Sequence, residues 1–191
     1  MLKIGIIGAG HISTSHIEAY GEIDGCEVKA ISDLNEELAR ERAEKYNIAD
    51  VYTDYKELLK DESIDAVSVA TPTFTHKKIV IDALNAGKHV LCEKPPALNA
   101  QEVKECNEAA EKSGKLFMTA HVVRFMAPYV YLKSIVDSGE LGRPVHIEMK
   151  RLSEVPTWSW ENWMMDLEKS GGCPIDLSIH DIDFVQDTFG M

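Results

Sequence analysis

The feature that most constrains this chain is an alternation. Short apolar runs at residues 2–7, 26–32, 51–52, 65–70, 89–92 and 116–123 are separated by stretches of helical periodicity. Those stretches cover residues 11–20, 36–46, 55–60, 74–85 and 99–113. Strands alternating with helices of about 10–15 residues form βαβ units and a parallel sheet. The crossovers of such units are right-handed, so a doubly wound sheet is the economical topology. The punctuation agrees: Asn35 caps residues 36–46, Gly87 stops 74–85 and Gly114 closes 99–113.

The character changes near residue 123. Residues 127–138 suit a helix stopped by Gly139. Residues 144–152 alternate apolar and polar side chains, which predicts a strand with one wet face. An irregular stretch with Trp158, Trp160 and Trp163 follows, then Gly171-Gly172 and a last helix over 176–189. Two domains are expected, residues 1–122 and 123–191.

Composition narrows the class. The chain has 191 residues and a formal net charge of −12, which argues against a broad basic face for nucleic acid or an anionic membrane. Cys26, Cys92, Cys106 and Cys173 form no C-x-x-C pair, so zinc ribbons and dithiol redox motifs are not expected, and no metal site is. Met1 leads directly into a strand pattern, and no apolar run approaches the ~20 residues of a membrane span. The expectation is a reduced, cytoplasmic protein.

Chemistry collects where strands end. Gly8-x-Gly10-x-x-Ser13 follows the first strand and opens the first helix. A glycine turn there lets a pyrophosphate approach the backbone and the helix N-terminus. Ser13 replaces the third glycine of that fingerprint, a position that mainly sets helix–strand packing. Asp33 closes the second strand, 23 positions after Gly10. A carboxylate at that distance accepts hydrogen bonds from a ribose and repels a 2′-phosphate. With no arginine beside it, NAD is favoured over NADP. The alternative is that Asp33 or Asn35 merely caps the next helix. Thr71-Pro72-x-x-x-His76 and Glu93-Lys94-Pro95 end two further strands, on the edge where parallel sheets bind ligands.

Lys94 is stiffened by the prolines after it, and one Lys-Pro bond could be cis. An amine held there can hydrogen-bond a substrate hydroxyl and stabilise a developing alkoxide. A solvated lysine is the plainer alternative. Asp176 and His180 are spaced i, i+4, which on one helix places a carboxylate beside a candidate general base. Asp183, at i+3 from His180, could orient it instead, or Asp176 could simply cap a helix.

These motifs together resemble the Gfo/Idh/MocA oxidoreductases, the glucose-fructose oxidoreductase and inositol dehydrogenase family. The matching segments are the Gly8 fingerprint, Ala70-Thr71-Pro72 with His76, Ala86-Gly87-Lys88-His89-Val90 leading to Glu93-Lys94-Pro95, Arg124-Phe125, Ser138-Gly139-Glu140-Leu141-Gly142, and Gly171-Gly172 leading to Asp176-x-x-x-His180-Asp181-x-Asp183. The resemblance implies an α/β fold: an N-terminal Rossmann doubly wound parallel sheet, then the start of a second α/β domain with an open sheet. It implies hydride transfer between NAD(P) and a hydroxyl carbon of a sugar, cyclitol or related polyol. Lys94, Asp176 and His180 are then the catalytic residues, with His180 as acid/base. Gly8, Gly10, His11, Ile12, Asp33, Thr71, Pro72, His76, Glu93 and Lys94 would contact the cofactor. Lys94, Arg124, Trp163 and His180 would contact the substrate.

Departures from the family pattern are Ser13, and Cys173-Pro174 after the paired glycines. Members of that family continue for over a hundred residues beyond this length, so the second domain reads as truncated. A homo-oligomer or a complementary C-terminal chain is expected to cover its open strand. The competing reading is a non-catalytic dinucleotide-binding or regulatory protein. A Rossmann methyltransferase would leave the Glu-Lys-Pro and Asp-x-x-x-His motifs without a role.

Overall fold

A computed structural model describes residues 1–190. The chain divides into two units, Met1–Thr119 and Ala120–Met191.

The first unit alternates as its hydrophobic pattern requires: β1 (Leu2–Ile7), α1 (His11–Gly21), β2 (Cys26–Ser32), α2 (Glu36–Tyr46), β3 (Asp50–Tyr52), α3 (Tyr55–Leu59), β4 (Ala66–Val69), α4 (Thr73–Asn85), β5 (His89–Cys92), α5 (Ala100–Ser113) and β6 (Phe117–Thr119). All strand pairs are parallel and the order is β3-β2-β1-β4-β5-β6. That is the dinucleotide-binding order, and it reverses direction between β1 and β4. Both faces of the sheet are buried. Ile4, Ile6 and Ile31 pack with Ile17, Ala39 and Ala43 of α1 and α2. Ile7, Ala30, Val67 and Val69 pack with Leu58, Val80, Leu84 and Cys106 of α3, α4 and α5. Consecutive residues such as Ala30 and Ile31 thus enter opposite cores, because side chains alternate across a strand.

The helix ends carry the signals read from sequence. Asn35 caps α2 by accepting the Leu38 N–H (3.1 Å), and Asn99 caps α5 by accepting that of Glu102 (3.0 Å). Gly114 ends α5 in the left-handed region, where a side chain is costly. The last strand is shorter than the apolar run at 116–123 predicts. Only three residues of β6 pair with β5, and residues 122–125 coil into a 3-10 turn.

The second unit contains α6 (Ala127–Ser138), a 3-10 turn (Trp160–Met165), α7 (Leu167–Ser170), α8 (Gly172–Asp176) and α9 (Ile179–Phe189). Two expectations are corrected here. Residues 144–152 form no strand: they are mostly exposed, and no described strand of this unit offers them a ladder. An alternating pattern sets which face is apolar, but a strand also needs a neighbour for its N–H and C=O groups. Nor is 176–189 one helix. It breaks at Leu177 and Ser178, whose N–H groups both donate to Cys173 O (3.0 Å each), a widened turn between α8 and α9.

Candidate functional site

The switch point between β1 and β4 is built by one glycine. Gly8 has φ +101°, and a Cβ there would lie 2.5 Å from the Ala70 carbonyl oxygen. Only glycine lets the two strand ends approach this closely. Gly10 is different: a Cβ on it would meet nothing within 4 Å, so its α-carbon faces open space at the start of α1. The first N–H groups of any helix lack intrahelical acceptors, and no acidic side chain stands in the first turn of α1. An anion fits that position. Ser13 is fully buried and its hydroxyl donates to Gly10 O (2.7 Å), so the small side chain sits within the helix–strand contact and pins the turn. His11 and Ile12 are on the exposed side of the first turn.

Asp33 stands at the end of β2. Its Oδ2 accepts the Ala9 N–H (2.7 Å) and its Oδ1 accepts the Asn35 N–H (2.8 Å). Capping of α2 falls to Asn35, so Asp33 is not the cap. Its carboxylate ties the second strand end to the glycine turn. Each oxygen accepts one backbone N–H and retains capacity for a hydroxyl donor.

After β4 and β5 come Thr71-Pro72 and Glu93-Lys94-Pro95. Thr71 and Pro72 are half-buried at the strand end, and the Thr75 hydroxyl lies 2.7 Å from both the Thr71 hydroxyl and the Pro72 carbonyl. Lys94 is half-buried, and the Lys94–Pro95 peptide bond is cis. The Glu93 N–H donates to Val69 O (2.9 Å), and Glu93 Oε2 accepts the Lys94 N–H (3.1 Å).

His76 is placed otherwise than expected. It lies beneath this edge, 1% exposed, with Nδ1 2.8 Å from Pro95 O and Nε2 2.7 Å from Thr71 O. It ties the two loops together, and its ring nitrogens face backbone instead of lining the cofactor space. Burial pushes its imidazole below the ordinary value, opposed by the two carbonyls, which both call for donors.

Sequence reading missed His16 and Ser68. His16, on α1, places Nδ1 2.7 Å from the Ser68 hydroxyl on β4 and Nε2 2.8 Å from Glu93 Oε1. Burial alone would raise the Glu93 carboxyl. The His16 contact, together with the Lys94 N–H and its charge, outweighs burial and holds that carboxyl below the usual range. A signal existed: Ser68 is a lone hydroxyl in a buried apolar strand, and a buried hydroxyl needs a partner.

In the second unit, Gly171 and Gly172 both have positive φ, and a Cβ on either would meet a side chain at 2.7 Å. They join α7 to α8, whose last residue is Asp176. His180 lies in the first turn of α9, and both are half-buried. Asp183 is paired with Arg124: both its oxygens accept that guanidinium, from Nε at 2.7 Å and Nη2 at 2.5 Å. Arg124 also donates Nη1 to Asp187 (2.9 Å). Its guanidinium thus pairs with two carboxylates of α9, and the Asp183 contact raises its pKa. Trp163 is 9% exposed within its 3-10 turn, whereas Trp158 and Trp160 are exposed. Among the described residues no helix is long and apolar enough to cross a membrane, and no group of three or more side chains could hold a metal ion.

Comparison with known proteins gives the same outline. Residues 2–121 match the model of an oxidoreductase family with an NAD-binding Rossmann fold, and residues 129–191 match the GFO/IDH/MocA C-terminal domain. The chain is 35% identical over 190 residues to a myo-inositol 2-dehydrogenase of Thermotoga maritima, covering 99% of this chain and 55% of that protein. It is 34% identical over 188 residues to a 2,7-anhydro-N-acetylneuraminate hydratase of Mediterraneibacter gnavus, covering 97% and 48%. Among solved structures, a levoglucosan dehydrogenase in complex with NADH superposes with a TM-score of 0.83 at 28% identity, over 99% of this chain and 54% of that one. The chain spans about half the length of the curated relatives it matches.

Proposed function

The chain belongs to the GFO/IDH/MocA oxidoreductase family, and from that membership we propose that it serves an NAD-dependent dehydrogenase acting on a hydroxyl carbon of a sugar, cyclitol or related polyol. In this reading residues 1–122 bind the dinucleotide and 123–191 belong to a substrate domain. The protein works in the cytoplasm, associated with a second copy or a complementary C-terminal chain. The observation that carries it is the shared edge of the sheet, where Gly8, Asp33, Thr71 and Glu93-Lys94 end successive strands.

The bound cofactor supplies the hydride acceptor. Around it, the Gly10 turn and the start of α1 receive the pyrophosphate with His11 and Ile12. Asp33 accepts the adenosine ribose hydroxyls and disfavours a 2′-phosphate, so NAD is preferred to NADP. Thr71 and Pro72 border the nicotinamide half, and His76 positions both loops from below. Lys94 donates to the substrate hydroxyl oxygen and stabilises the alkoxide that develops as its proton leaves. His180 takes that proton as general base, with Asp176 as its companion carboxylate. Trp163 contributes to the substrate wall.

The test separates binding from turnover. Lys94→Ala is expected to abolish NADH formation across a panel of polyols while NAD binding stays within about threefold. Binding without turnover by the unaltered protein, even after addition of a complementary C-terminal fragment, would establish the non-catalytic, regulatory reading instead.

A further inference from the structure

We infer that His16 is a positioning residue that fixes the Glu93 carboxylate at the end of β5, in the nicotinamide half of the site, and so favours the oxidised dinucleotide over the reduced one. The inference rests on the dinucleotide reading above and deepens it.

The geometry is a chain of contacts crossing the switch point. His16 extends from α1, the helix whose start would take the pyrophosphate. One ring nitrogen meets Ser68 on β4 and the other meets Glu93 at the end of β5. The His16 and Glu93 side chains are only 10% and 13% exposed. Glu93 passes the constraint on through Oε2, which accepts the Lys94 N–H. Nε2–H donates to the carboxylate, and Nδ1 lies against the Ser68 hydroxyl, which is next to the Tyr20 phenol. The groups facing Glu93 are His16 from α1, His76 from α4, and Cys92 and Lys94 beside it in the chain.

The consequence follows from charge. In this sheet order β1–β3 receives one mononucleotide half and β4–β6 the other. Asp33 at β2 assigns the adenosine half, so Glu93 at β5 belongs to the nicotinamide half. The ring is cationic in NAD⁺ and neutral in NADH. An ionised carboxylate in that half of the site would attract the cationic ring of the oxidised form, and in a half-buried setting that attraction is weakly screened. Without His16, burial dominates and the carboxyl takes up a proton or turns to water. The discrimination is then lost.

The experiment measures dissociation constants for NAD⁺ and NADH by calorimetry on the whole chain and its variants. His16→Ala is expected to weaken NAD⁺ by about tenfold and NADH by less than about threefold, one pKa unit corresponding to a factor of ten. His16→Gln, which keeps an N–H at the Nε2 position, is expected to restore the ratio to within about threefold. Equal loss of both forms, or no change, overturns the role given to His16 and leaves the dinucleotide reading standing. If His16→Ala does not fold, Ser68→Ala breaks the other ring contact. It is expected to shift the ratio in the same direction, and an unchanged ratio overturns the inference. Failure of the unaltered protein to bind either dinucleotide overturns both readings together.

Discussion

Asp33 Oδ2 accepts the Ala9 N–H at 2.7 Å, so a carboxylate at the end of one strand holds the glycine turn at the end of its neighbour. The same group is proposed to recognise the adenosine ribose. Those two roles make opposite demands on a substitution. Asp33→Asn keeps an acceptor for Ala9 but removes the charge that opposes a 2′-phosphate. It is expected to narrow a preference for NAD over NADP by about tenfold, at a modest cost in stability because the amide cannot accept both the Ala9 and Asn35 N–H groups. Calorimetric titration with both dinucleotides checks this. Equal affinity of the unaltered protein for the two would remove the basis for assigning NAD.

Gly8 is a stability prediction before it is a binding one. Its φ of +101° and the 2.5 Å approach to the Ala70 carbonyl leave no room for a methyl group. Gly8→Ala is expected to cost about 1–3 kcal/mol from the backbone conformation alone, with more from separation of β1 and β4. Gly10→Ala meets nothing within 4 Å, so it is expected to fold nearly normally and lose dinucleotide affinity. Urea midpoints and calorimetry on the pair tell the two glycines apart.

Arg124 and Asp183 form a two-pronged pair on the second unit. Asp183 is nearly buried and Arg124 is 38% exposed at its side chain. Arg124→Ala leaves a buried carboxylate without its cation, a loss of about 3–5 kcal/mol for a fully buried pair and less here because water reaches the arginine. The double variant Arg124→Met with Asp183→Leu is expected to recover much of the loss. Thermal melts of the single and double variants check this, and equal destabilisation would show that the pair is not coupled.

Glu93 sets a sign for acid sensitivity. Burial acts to raise its carboxyl, but the His16 contact, the Lys94 N–H and nearby charge hold it below the ordinary glutamate range. A depressed folded-state value contributes stability that is present above the unfolded value and lost as pH falls through the folded one. The unaltered protein is therefore expected to lose stability more steeply than Glu93→Gln as pH drops below about 4.5. Denaturant midpoints between about pH 3 and 6 measure the slopes. Parallel slopes would mean that Glu93 is not held ionised by folding.

Local chemistry was legible without a structure. The glycine turn, the Asn35 cap and the left-handed Gly114 depend on residues a few positions apart, and each formed where the pattern placed it. The cap also settled a question left open by the pattern, because with Asn35 on Leu38 the Asp33 carboxylate was available to the glycine turn. Readings failed where a partner lay far along the chain. The alternation at 144–152 specified a face and no neighbour. The ion pairs of Arg124 were not visible in the pattern, because Asp183 and Asp187 lie some sixty positions away. The i, i+4 spacing of Asp176 and His180 predicted one helix, which the widened turn at Leu177 and Ser178 divides.

The sequence by itself determined the parallel, doubly wound class and the set of strand ends gathered on one edge, where the dinucleotide is proposed to bind. Hydrophobic period and turn residues are properties of neighbouring positions, and they suffice for that. Only the tertiary structure decided how charge is arranged beneath the edge. It joined His16 to Glu93 across 77 positions and buried His76 between two carbonyls. The reason is that a buried polar group must find a partner in space, and folding decides which one is within reach.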